Sequence, residues 1–178
     1  MFLICCGKLL TFDDFIPSNY SSFEAKIDIW KKETVLFIDF SNINSIDEKS
    51  KNDNEYLEKF LNIIQNELHW IENNKNKIDD LLIEENIIEL AENIVSSGHL
   101  LRCADEESYL LDDGSKINFP ITEDNLTESL CIESVSINFD GKNLDSIELI
   151  LFCSPDYFNG QSFLIIIDKN KNIQFNGL

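Results

Sequence analysis

Arginine is almost missing from this chain: Arg102 stands alone, and Lys and Arg together number 14 against 33 Asp and Glu, a net charge of −19 over 178 residues. A field of that sign repels nucleic acid and anionic lipid and draws in basic partners. Histidine is nearly as scarce, with only His69 and His99 to serve as neutral-pH bases. The six glycines are scattered, so neither GxGxxG nor a phosphate-binding P-loop exists, and nucleotide binding by those routes is excluded. No GxSxG elbow is present either. Five cysteines, Cys5, Cys6, Cys103, Cys131 and Cys153, are an odd number with no CxxC pair, which argues against a disulfide scaffold and fits a reducing cytoplasm. No apolar run approaches the ~20 residues that span a bilayer.

What the chain does have is apolar mass: 43% hydrophobic residues with 13 Phe are enough for one sizeable core, so residues 1–178 read as a single domain. The N-terminal MFLICCGKLL lacks a basic leader region, and FLICCGKLLTF (2–12) is expected to be a first strand. FEAKIDIW (23–30) and ETVLFIDF (33–40) follow as strands, with Ala25, Ile27 and Ile29 alternating with Lys26, Asp28 and Trp30 at period two. A turn is expected over residues 17–22, and SNINSIDEKSKND (41–53) is polar and turn-forming.

From residue 54 the spacing turns helical. Leu57, Phe60, Leu61, Ile64, Leu68 and Ile71 fall at i, i+3, i+4, i+7, i+11 and i+14, one stripe over about five turns. NNKNK (73–77) interrupts it, and a second stripe follows at Ile83, Ile87, Leu90, Ala91 and Ile94, with Gly98 placed as a C-cap. Residues 99–120 read as an irregular connector, and Thr122 to Asn125 as the capped start of a short helix. LCIESVSINF, SIELILFC, QSFLIIID and IQF then make four strands with short links, an antiparallel meander. The predicted class is α+β: an antiparallel sheet, from the N-terminal strands and the C-terminal four-strand meander, with two long helices packed on one face.

The acids are concentrated. Residues 79–148 hold 18 of them against Arg102, Lys116 and Lys142, an excess of 15. Glu85, Glu89 and Glu92 lie at i, i+4 and i+7 opposite the second apolar stripe, and Asp79 and Asp80 are placed in that helix's first turn, where the dipole favours anions. The connector adds Asp105, Glu106 and Glu107, then Asp112 and Asp113, around Tyr109. These eleven residues are the candidate partner-binding set, with Tyr109 as an aromatic anchor.

Catalytic and metal chemistry find little support. His99 and Cys103 have a helical metal-binding spacing but no identifiable third ligand. DKNKN (168–172) spaces an acid and two amides like a calcium loop, yet the sixth position is Ile173 rather than Gly and the twelfth lies past Leu178, so it reads as a hairpin turn. No catalytic residue, cofactor or metal is expected.

FEAKIDIW with VLFID, the helix ending HW at 69–70, ITEDN followed by IESVSINFDG, and DYFNGQSFLIIID with the closing NGL occur in an order that resembles an uncharacterised bacterial domain-of-unknown-function family. The resemblance spans residues 23–178. In that family a Phe-Trp-Gly-His segment precedes the last hairpin; here Asn159 stands for the Trp and Gln161 for the His, while Phe158 and Gly160 fit packing and turn roles. Its members look like immunity proteins of bacterial toxin systems. The resemblance implies a cytoplasmic, non-enzymatic protein that binds a cognate basic, nuclease-like toxin through an acidic surface, without contacting nucleic acid or membrane. The alternatives are a DNA mimic, which predicts paired acids along one elongated face, and a hydrolase, which predicts a histidine beside a carboxylate in a cleft.

Overall fold

A computed structural model describes residues 10–19, 22–40, 53–97, 99–103, 106–111, 114–141 and 143–177. Strands β1 (Ile16–Asn19), β2 (Ser22–Ile29) and β3 (Lys32–Asp39) come first. Helices α1 (Asp53–Asn73), α2 (Lys75–Glu84) and α3 (Ile87–Ser96) follow. Then come β4 (His99–Cys103), β5 (Glu106–Leu110), β6 (Lys116–Asn118) and helix α4 (Glu123–Ser129). The C-terminal meander is β7 (Leu130–Asp140), β8 (Asn143–Cys153), β9 (Phe163–Asp168) and β10 (Ile173–Phe175). The protein is α+β, and no helix among the described residues is long and apolar enough to cross a membrane.

Seven strands form the main sheet in the order β1-β2-β3-β7-β8-β9-β10. Every pairing is antiparallel except the central one, where β3 runs parallel to β7 with Leu36 opposite Val135 and Ile38 opposite Ile137. This differs from the fully antiparallel sheet that the strand patterns predict. The expected meander is present; what joins it to the N-terminal hairpin is a connection through the helices, long enough for the crossover that a parallel pair needs. Pro17, expected in a turn, lies in edge strand β1, where a missing N–H is tolerated. The expected first strand lies mostly outside the described residues; at its end, Phe12–Asp14 is a 3₁₀ turn rather than strand.

Sequence patterns predict two long helices, but the structure has one helix of 21 residues and two of 10. NNKNK breaks the chain only at Asn74. The larger interruption is Asn86, at φ +58, a left-handed conformation that Asn adopts more readily than most residues. Because this break resets the helical phase, the buried positions are Ile78 and Leu82, then Ile87, Ala91 and Val95, rather than the single stripe expected. Gly98, the expected C-cap, is outside the described residues. Residues 99–120 are not an irregular connector: they hold a second, three-stranded sheet ordered β4-β5-β6. Short strands without a strong alternation are hard to see until they pair. The cap of α4 forms as predicted, Asn125 N–H donating to Thr122 Oγ1 at 3.1 Å.

Side chains of the main sheet and of the helices join in one core cluster. Leu36, Ile38, Val135, Ile137, Leu149 and Ile165 from the sheet are fully buried, as are Leu57, Ile64 and Ile71 of α1. Phe40, Phe60 and Phe139 form an aromatic cluster where α1 meets the sheet, with ring centroids 4.7 to 5.2 Å apart. The alternate positions point the other way. Registers place Val35, Ser134, Ile150 and Leu164 in one row across the sheet, and Phe37, Ser136, Glu148 and Ile166 in the next. Val35, Phe37, Leu164 and Ile166 are half-buried, Ile150 is exposed, and none of these five belongs to the core cluster.

Candidate interaction surfaces

The predicted acids fall into two groups once the chain is folded. Asp79 is not in the first turn of its helix, because α2 begins at Lys75. It is turned inward, paired with Lys75 Nζ at 2.7 Å, and the same ammonium donates to the Thr127 carbonyl at 2.8 Å. Burial pushes the Asp79 carboxyl above the usual range, and Lys75 opposes that shift. Glu92 is half-buried and accepts the Ile121 N–H at 2.8 Å, tying α3 to the segment that leads into α4. These two acids hold elements together rather than face a partner.

Asp80, Glu85 and Glu89 are exposed, and so is Glu84, which the i, i+3, i+4 pattern from Asp80 could have added. None of the four forms an ion pair among the described residues. They point away from buried Ile78, Leu82, Ile87 and Ala91, with Glu85 at the C-cap of α2 rather than within a helix. Glu106 and Glu107 lie on β5, opposite Cys103 and Arg102 in register, and their side chains are outside the description. Asp105, Asp112 and Asp113 lie outside the described residues. Tyr109 is not a free anchor: it is half-buried, its ring 4.5 Å from that of Phe119, and packs on the core.

The remaining candidates take structural places. His69 pairs with Asn73 Nδ2 at 3.1 Å from Nδ1, and no carboxylate among the described residues is its partner. His99 and Cys103 are four residues apart on strand β4, which separates their backbones by about 13 Å rather than stacking them as on a helix. Among the described residues no group of three His, Cys, Asp or Glu is placed to hold a metal. DKNKN is a turn: Asp168 Oδ1 accepts the N–H groups of Asn170 at 2.7 Å and Asn172 at 2.9 Å. The Asn172 side-chain amide, donating to Asp168 Oδ2 at 2.7 Å, and these backbone bonds hold the Asp168 carboxyl below its usual range. Lys171 of this turn reaches across to pair with Glu67 of α1 and sits 5.1 Å from the Trp70 ring, while burial pulls its ammonium down.

Two hollows open at the end of the sheet where the β2–β3 turn, the start of β7 and the end of β8 meet. One, of about 400 Å³, is walled by Trp30, Lys31, Lys32, Glu72, Lys75 and Glu128. Trp30 and Lys31 form the two-residue turn at φ +49 and +65. A tryptophan in that conformation is uncommon; here Glu72 Oε2 accepts its backbone N–H at 2.8 Å and the Ile71 carbonyl accepts its indole N–H at 3.4 Å. The other, a cleft of about 490 Å³, lies beside Glu133, Phe152, Asp156, Gln161 and Ser162. A register shift between Ile132 and Ser134 leaves Glu133 as an extra residue whose exposed carboxylate accepts from Ser162 Oγ at 3.3 Å. Asp156 accepts the N–H groups of Phe158 at 3.1 Å and Gly160 at 2.6 Å, shaping the loop in which Phe158 is fully buried and Gly160 has φ +78.

Cys131 and Cys153 are free and buried near these hollows. Burial pushes the Cys153 thiol up to about 12, despite an opposing hydrogen bond with Ser129. The cleft was not among the predicted sites. Its signal is the run SIELILFC, which is apolar at successive positions and therefore on both faces of a strand.

No family model, curated protein or solved structure matches the chain.

Proposed function

We propose that the protein is a non-enzymatic, cytoplasmic binding protein of the immunity type, which neutralises a basic, nuclease-like toxin domain through its acidic surface. The observation that carries this reading is the outward face of α2 and α3: Asp80, Glu84, Glu85 and Glu89 are exposed and without ion pairs among the described residues. Unneutralised charge of one sign speeds encounter with an oppositely charged partner and discriminates against like-charged ones. The resemblance to toxin-immunity proteins supplies the class of partner, and the acidic excess of 15 over residues 79–148 agrees with it.

Sequencing the neighbouring gene and co-expressing the C-terminal domain of a large secreted protein found there tests the reading. A complex that dissociates as salt rises, together with restored growth of toxin-expressing cells, is expected. Replacing the four acids (Asp80→Asn, Glu84→Gln, Glu85→Gln, Glu89→Gln) is expected to slow association about 10-fold or more at low salt. A pair that fails to associate at low ionic strength overturns the proposal.

A further inference from the structure

The acidic reading leaves open where a partner would gain affinity, since exposed charge sets encounter rates more than it sets dissociation. The sheet offers an answer. On the face turned away from the core cluster, Val35, Phe37, Ile150, Leu164 and Ile166 lie in two adjacent rows, and Phe152 continues them to the cleft beside Glu133. Ile150 is 37% exposed, one of three large apolar side chains to be so among the described residues. Ile150, Leu164 and Ile166 adjoin on β8 and β9, while Val35 and Phe37 lie across Ser134 and Ser136 of β7, so apolar side chains alternate with polar ones as they do on protein-binding surfaces.

The rim identifies the occupant. Registers place Glu24 beside Phe37, Asp28 beside Glu33, and Glu148 beside Ile166. Among the described residues two cations reach this side, and both are engaged: Lys26 with Glu33 at 2.7 Å, and Lys32 against Cys131 and the Phe152 ring. A second copy of the chain laid on this face would set acid against acid. A cationic protein would not, and the cleft adds an acceptor for one of its side chains: among the described residues the exposed Glu133 carboxylate accepts only the Ser162 hydroxyl.

Resting on the binding function proposed above, we infer that this open sheet face docks a basic protein presenting an apolar patch ringed by Lys or Arg, one of whose cationic side chains enters the cleft beside Glu133. The acids of α2 and α3 steer; the sheet face holds.

Two synthetic probes separate these roles: a peptide alternating lysine with phenylalanine, and its counterpart alternating lysine with serine. Binding to the full chain is measured by fluorescence anisotropy at low salt. The phenylalanine peptide is expected to bind about 10-fold tighter than the serine peptide, Phe37→Ser with Ile150→Ser to abolish that advantage, and Glu133→Gln to reduce it. Neutralising the four helical acids should weaken both peptides alike and leave their ratio unchanged. Equal affinities, or an advantage that survives Phe37→Ser with Ile150→Ser, overturn the docking face while leaving the acidic-binding reading intact; failure of both peptides to bind overturns that reading itself. A homodimer in sedimentation that the double substitution dissociates also overturns the assignment. Should the double variant lose its circular dichroism signal, hydrogen exchange on the wild type decides instead: protection of β8 and β9 by the phenylalanine peptide is required, and its absence refutes the proposal.

Discussion

The two faces of the seven-stranded sheet draw on the same strands and on similar residue types, yet differ in what they do. On one face Leu36, Val135, Leu149 and Ile165 are fully buried in the cluster that also holds Leu57, Ile64 and Ile71 of α1. One residue along in each strand, Phe37, Ile150 and Ile166 share the opposite face with Ser134, Ser136, Asn138 and Glu148. Serines and acids between apolar side chains are poor material for a core, because buried polar groups need partners, but they suit a surface that alternates between water and another protein. An apolar residue contributes to folding only through what covers it.

Truncation should break this symmetry most sharply. Phe139→Ala removes a ring from the Phe40–Phe60–Phe139 cluster and is expected to cost about 3–5 kcal/mol in urea unfolding, whereas Ile150→Ser on the reverse face is expected to cost under about 1 kcal/mol. Similar losses at both positions would mean that the two faces are equally covered.

The same contrast divides the helical acids, with a smaller effect. Glu92→Ala strips the acceptor from the Ile121 N–H and should cost about 1–3 kcal/mol, while Glu89→Ala, three residues away and exposed, should stay within about 0.5 kcal/mol. Equal thermal shifts for the two would show that Glu92 contributes nothing by its bond.

The smallest effect belongs to Asp168, which closes the last row of the open face opposite Ser146. Its pKa is depressed in the folded state, so it binds fewer protons there than in the unfolded chain. Its contribution is therefore complete above the ordinary carboxylate pKa and disappears as the pH falls through the depressed value. Wild type and Asp168→Asn should differ in melting temperature at neutral pH and converge in acid; a gap that persists at the acid end contradicts this role.

Much of the local structure was legible. The alternation in FEAKIDIW, the stripe from Leu57 to Ile71, the Thr122 cap and the four C-terminal strands all appear as read, because each is decided by neighbours a few residues apart. Glu85, Glu89 and Glu92 were less legible. Their spacing on one helix face assumed an unbroken helix, and Asn86 at φ +58 shifted the phase beneath them. Asp79 looked like a solvated first-turn acid until Lys75 and Thr127, 52 residues apart, closed around it. The cleft beside Glu133 required a register shift that exists only when β7 and β8 pair.

By itself, then, the sequence determined β2, β3, helix α1, the start of α4 and the C-terminal strands, the excess of acid and the absence of the common nucleotide-binding motifs, since composition and short-range periodicity act within a strand or a turn of helix. Tertiary structure alone decided that β3 pairs with β7 in parallel, that residues 99–118 contribute a second sheet, which acids point inward and which side chains of the sheet lie outside the core cluster. Those outcomes depend on segments tens of residues apart competing for one another's surfaces, and burial, the largest favourable term in folding, is assigned only when that competition ends.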